Sequence, residues 1–202
     1  MDETQSKEQE LDDGAERLSP DSPRAKSTIA FFNRFVEPIE DRMIRSIWRV
    51  TRNTQDAEDA MQNSLVAIWR QRDLIASHAT PQAFILRICL DAACDLVRKR
   101  SRAAARCGPT SDTDAVIDPA KSPIDAIADR ELVERIVGEL HQLPQQQAVA
   151  MALRAFEDLS YDEIASAMNC TPATVRKHVE RARAKLQVLL TKYDLVLTKR
   201  RP

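Results

Sequence analysis

Residues 169–186, NCTPATVRKHVERARAKL, crowd five cations (Arg176, Lys177, Arg181, Arg183, Lys185) onto one short stretch. Val175, Val179, Ala182 and Leu186 fall three and four residues apart, so one helical face is built for burial and the cations take the rest. Cations fixed on a rigid helix recognise polyanions. Arg holds guanine O6 and N7 bidentately, while Lys and Thr reach phosphates or base edges. Other chemistries find no support. Cys89, Cys94, Cys107 and Cys170 form no CxxC pair and sit far along the chain from His78, His141 and His178. Metal ligand sets announce themselves by tight spacing, so no metal and no cofactor is expected. No glycine-rich phosphate loop or nucleophile motif occurs, and the expectation is a protein that is not an enzyme.

The elements that must hold those cations are local and readable. Ser160 with Glu163 three residues on is a capping box, which starts a helix at YDEIASAM. That helix buries Ile164, Ala165 and Met168, with Ala165 small enough for a close helix crossing. Asn169 follows where a tight turn requires a positive φ. Thr171-Pro172 caps and begins the next helix, whose Val175 and Val179 pack back onto the first. This is a helix-turn-helix, whose second helix enters a DNA major groove. Its exposed positions are Ala173, Thr174, Arg176, Lys177, Glu180 and Arg181. Glu180 is the odd member, because an acid in a phosphate-rich groove is costly unless it accepts from a cytosine amino group or pairs with Arg176 or Lys177.

The rest of the 202 residues reads as helix and connector. Few glycines (3) and 4% aromatics favour an all-α fold, with two small helical domains on a flexible linker. Residues 1–24 carry eight acids against three cations, and 171–202 carry nine Lys/Arg against two acids, an asymmetry hidden by the net charge of −1. Residues 1–26 are expected to be a disordered acidic tail. The first domain, 27–102, begins with FFNRFVEPIEDRMIRSIWRVT, interrupted at Pro38. A second helix, DAEDAMQNSLVAIWRQR, starts with acids that suit its dipole. A polar connector, DLIASHAT, leads to a third helix from Pro81, expected to bury Phe84, Ile85, Ile88, Ala92 and Leu96. It ends in Arg98, Lys99, Arg100 and Arg102, where cations also satisfy the dipole. The linker spans 103–122, and Ser122-Pro123 starts the second domain, 123–202. With no long apolar run and no basic-then-apolar leader, no membrane insertion and a cytoplasmic location are expected.

From Ser27 to Leu190 the chain resembles an extracytoplasmic-function sigma factor, the compact promoter-recognition subunit of bacterial RNA polymerase. Leu143-Pro144, Leu153-Arg154, the run Leu159-Ser160-Tyr161 to Ile164-Ala165, and Thr174-Val175-Arg176 with Arg181-Ala182-Arg183 carry the likeness in the second domain. Asp56-Ala57-Glu58-Asp59 through Gln62 to Trp69 carries it in the first. The resemblance implies core RNA polymerase and promoter DNA as partners, with an anti-sigma factor as a further candidate. It places Asp56, Asp59, Gln62 and Asn63 on the polymerase clamp. The connector 71–80 and helix 81–100, including Arg87, Asp91, Arg98 and Lys99, would open and read the minus-ten element. Thr174, Arg176, Lys177, Glu180, Arg181 and Arg183 would face the minus-thirty-five element. The linker would thread toward the RNA exit path. Asn63-Ser64, Asp91 and Ala148 depart from the residues usual in that family. A sigma mimic that binds only an anti-sigma partner is the rival, and the cations Arg176, Lys177 and Arg181 argue against it.

Overall fold

The computed structural model describes residues 23–107, 138–140 and 142–200. Residues 1–22 of the expected tail, the greater part of the linker and the helix start at Ser122-Pro123 lie outside these residues, whereas residues 23–26, expected in the disordered tail, are helical. Among the described residues there is no strand.

The chain divides into two compact units between Glu40 and Asp41. In the first, α1 (Pro23–Phe35) is followed by a 3-10 turn over Glu37–Ile39. Phe31 meets Phe32 edge-on at 5.6 Å and tilts against Phe35 at 5.2 Å. Pro38 has no N–H to donate to a continuing helix, and the break expected there separates α1 from α2 (Glu40–Thr51).

The second unit holds the site. After α2 come α3 (Thr54–Arg70), α4 (Arg72–Ser77), α5 (Pro81–Cys107), α6 (Gln145–Phe156), α7 (Tyr161–Met168) and α8 (Pro172–Arg200). Three helices stop at non-glycine residues in the left-handed region: Arg52 (φ 52°) after α2, Asp158 (φ 51°) after α6 and Asn169 (φ 50°) after α7. After α7 the chain closes with the six-to-one bond of a Schellman turn, Cys170 N–H to the Ala165 carbonyl (3.0 Å), and after α6 with a wider one, Leu159 N–H to the Leu153 carbonyl (3.4 Å). Asn53 caps α3 by accepting from the Asp56 N–H at 2.9 Å.

Three expectations need correction. The connector after α3 contains a six-residue helix, α4, anchored by the fully buried Ile75. The third helix runs to Cys107, into what was expected to be linker. Its buried set is also broader than one stripe. Leu86, Cys89, Leu90, Ala93, Cys94 and Val97 are buried with Phe84, Ile85 and Ile88, whereas Ala92 and Leu96 are only half-buried. The reason is that α5 packs against α3 and also against α6 and α7, so apolar side chains are needed around most of its circumference. In the same way Ala167 rather than Met168 completes the buried face of α7.

Candidate nucleic-acid interface

The helix-turn-helix is built as its sequence dictates. The Ser160 hydroxyl accepts from the Glu163 N–H at 3.2 Å, and the Glu163 carboxylate accepts from the Ser160 N–H at 2.8 Å. Those hydrogen bonds hold the Glu163 carboxyl below the usual carboxylate range. Arg154 secures the turn before α7 by donating to the Leu159 carbonyl (2.9 Å) and to Asp158 Oδ1 (3.1 Å). Thr171 Oγ1 accepts from the Thr174 N–H at 3.2 Å, and α8 begins at Pro172. Val175, Val179, Ala182 and Leu186 are all buried, as are Ile164 and Ala165 on α7, and α8 packs against both α6 and α7.

The opposite face of α8 is open. Ala173, Arg176, Lys177, Glu180, Arg181 and Arg183 are exposed, and Thr174 is half-buried. The Arg176 guanidinium lies over the Tyr161 ring at 5.3 Å, which restrains its base while leaving its donors outward. Among the described residues no ion pair joins Glu180 to Arg176 or Lys177, so its carboxylate faces solvent uncompensated within this helix.

The first-domain residues are placed differently. Asp59, Gln62 and Asn63 are exposed on α3, but Asp56 is drawn into a 2.6 Å ion pair with Arg100 of α5. On α5, Asp91 pairs with Arg87 at 3.3 Å and accepts from Gln145 Nε2 of α6 at 3.1 Å. Burial pushes the Asp91 carboxyl upward, with Arg87 and then Gln145 opposing that shift. Arg98 donates to the Leu143 carbonyl and to Gln145 Oε1, and Lys99 is exposed. Asn63, Arg87, Asp91 and Lys99 come together along one groove of about 340 Å³ between α3 and α5. They are not brought together with the α8 cations.

Several residues missed by sequence reasoning stand at the junction of the two helical regions. Glu157, at the end of α6, accepts from Arg42 Nε at 3.2 Å and from the Ser46 hydroxyl, both on α2, and lies 3.8 Å from Arg49 Nη1. Arg49 also donates to the Phe156 carbonyl at 2.8 Å. His78 Nε2 lies 3.3 Å from the Ser166 carbonyl of α7. No local pattern marks these residues. Two of the family departures do have packing reasons: Ala148 and Ser64 are fully buried, and Ser64 donates to the Ala60 carbonyl at 2.6 Å.

Comparison with known proteins fixes the family. Residues 35–103 match Sigma-70 region 2, and residues 134–186 match Sigma-70, region 4. The ECF RNA polymerase sigma factor SigE of Mycolicibacterium smegmatis is 27% identical over 174 residues, 86% of this chain and 67% of that protein. The RNA polymerase sigma-H factor of Pseudomonas aeruginosa is 26% identical over 186 residues, covering 89% of this chain and 92% of its own. The RNA polymerase sigma-E factor of Streptomyces avermitilis is 29% identical over 172 residues, 85% and 91% of the two chains. The chain belongs to the extracytoplasmic-function sigma factors. In fold it resembles the sigma factor RpoE solved with the anti-sigma factor NepR from Bartonella quintana, with a TM-score of 0.53, 22% identity and coverage of 79% and 96%. As a sigma factor it binds core RNA polymerase and directs initiation at promoter DNA, with α7 and residues 172–186 of α8 inside its region 4. Among the described residues no helix is long and apolar enough to cross a membrane.

Proposed function

We propose that this sigma factor divides promoter recognition between α8 and the α4–α5 segment, and leaves all chemistry to polymerase. The observation that carries this reading is the exposed cationic face of α8, held rigid by a capped and Schellman-closed turn. Arg176, Lys177 and Arg181 read the minus-thirty-five element, with Thr174 at the helix N-terminus. Arg183 grips phosphate, and Glu180 accepts from a cytosine amino group. Asp59, Gln62 and Asn63, with Asp56 once released from Arg100, dock on the polymerase clamp.

On α5, Arg87, Arg98 and Lys99 attract the displaced strand. Asp91 would repel phosphate alone, but Arg87 at 3.3 Å offsets its charge, which leaves it able to accept from a base. Strand opening requires capture of an unstacked base, at a cost of a few kcal/mol. The α4 helix and residues 78–80 form the rim that would hold it. The segment after Cys107 connects the regions along the polymerase, and an anti-sigma factor is a further partner of the same surfaces. A protein working on polymerase and promoters acts in the cytoplasm.

The test is transcription by purified core polymerase on genomic fragments with and without the chain. Specific initiation only when it is present supports the reading. Binding to an anti-sigma partner with no specific initiation overturns it.

A further inference from the structure

Of the five cations at residues 176–185 of α8, one has surroundings unlike the others. The Arg176 guanidinium lies over the Tyr161 ring, 5.3 Å from its centroid. Arg154, near the end of α6, places a second guanidinium over the same ring at 5.6 Å. Among the described residues, Lys177, Arg181, Arg183 and Lys185 have neither a ring nor an acid against them.

Local sequence accounts for where the ring stands. Tyr161 is the first residue of α7, directly after the Ser160 N-cap, so the two capping-box bonds with Glu163 fix its backbone. Arg154 donates to the Leu159 carbonyl at 2.9 Å, two residues before the ring, and ties α6 to the same turn. The half-buried Tyr161 side chain therefore projects from backbone that is held on both sides.

What the ring offers Arg176 follows from the atoms it leaves alone. A cation–π attraction acts on the charge as a whole and needs none of the five N–H donors of the guanidinium. An acid would behave otherwise. Glu180 stands one turn on, and a salt bridge to it would occupy the donors that guanine O6 and N7 require. No such pair forms among the described residues. A free Arg side chain gives up rotamer freedom when it binds, and a ring that already restrains it lowers that cost.

We propose that Tyr161 is a positioning residue for base selection: held by the capping box and by Arg154, its ring presets Arg176 for a bidentate contact with guanine in the minus-thirty-five element. The inference rests on the reading of α8 as the minus-thirty-five reader. It also ranks the cations of that face. Arg176 discriminates most sharply, while Lys177 and Arg181, without a ring, keep rotamer freedom that they lose on binding. The preset matters only where the right base is present, because at any other base Arg176 has no bidentate partner. Loss of the ring should therefore blunt discrimination at one promoter position and leave affinity at the wrong bases as it was.

The test measures open-complex formation by core polymerase holding the full chain, on promoters substituted singly across the minus-thirty-five element. Arg176→Ala locates the position that Arg176 reads. Tyr161→Leu keeps an apolar side chain at the turn but removes the π face. It should reduce the preference for guanine at that position about two- to fivefold, the loss that an exposed cation–π contact represents. Affinity for promoters with another base there, and the salt dependence, should stay the same. Tyr161→Phe keeps the face and should retain the wild-type preference. Adding Tyr161→Leu to Arg176→Ala should cost nothing further at that position. Pentafluorophenylalanine in place of Tyr161 keeps the shape of a phenyl ring while reversing its quadrupole. It should lose preference as Tyr161→Leu does, and it serves if the Leu variant folds poorly.

Equal weakening on every promoter would make the ring a packing residue and overturn the proposal. Unchanged preference in both ring variants, or additive losses in the double variant, would overturn it as well. A loss in Tyr161→Phe equal to that in Tyr161→Leu would assign the effect to the hydroxyl and sink the role of the ring. Promoter-specific initiation by the wild-type chain reports separately on the sigma reading, which stands even if the positioning role falls.

Discussion

Replacing Arg176 separates base reading from phosphate holding on α8. The side chain is exposed, makes no ion pair among the described residues, and contacts only the Tyr161 ring at 5.3 Å. Folding should barely notice its removal, since an exposed cation–π contact contributes about 0.5–1 kcal/mol. If Arg176 grips a guanine bidentately, Arg176→Ala loses about 1–3 kcal/mol of discrimination, or about 5- to 160-fold at the preferred base. Arg176→Lys keeps the charge but not the fork, so it should lose nearly as much. A phosphate contact behaves otherwise. Its loss lowers affinity uniformly across sequences and flattens the log–log salt dependence by about 0.9, while Lys rescues it.

The assay is open-complex formation by polymerase holding the full chain, measured at several salt concentrations on promoters substituted singly across the minus-thirty-five element. Base readout predicts that one promoter position loses its preference in both variants, with the other positions unchanged. Uniform weakening in Arg176→Ala, with rescue in Arg176→Lys, would refute the assignment and make Arg176 a phosphate clamp.

Other expectations are more local. Ile75 is fully buried and anchors α4, so Ile75→Ala should lower unfolding free energy by about 2–4 kcal/mol in urea titration. Full stability would show that α4 does not depend on it. Ser160→Ala should cost about 1 kcal/mol by removing the α7 cap, read as a lower thermal midpoint. Because the folded-state pKa of Glu163 is depressed, its contribution is present above the ordinary value of 4.5 and is lost as pH falls through the lowered one. The midpoint difference between wild type and Glu163→Gln should therefore shrink below about pH 4.5; a constant difference would assign the effect to shape alone. Burial pushes the Cys89 and Cys94 thiols up to about 12, so both should resist alkylation in the native chain. Cys170, half-buried in the helix-turn-helix turn, should react before them, as followed by mass spectrometry.

The helix-turn-helix was legible because its determinants are neighbours in sequence. Ser160 with Glu163, Asn169 and Thr171 each satisfy or redirect a backbone group within a few residues, and all took the expected conformation. The α4 helix left no period to detect, because six residues carry one deeply buried anchor, Ile75. The faces of α5 were misjudged at Ala92 and Leu96 because a pattern search assumes one partner, and α5 has several. Asp91 looked like a misplaced acid in sequence; in space, Arg87 and Gln145 account for it. Glu157 was invisible for a different reason. Its partners Arg42 and Ser46 stand 115 and 111 residues away, and no rule of local spacing reaches that far.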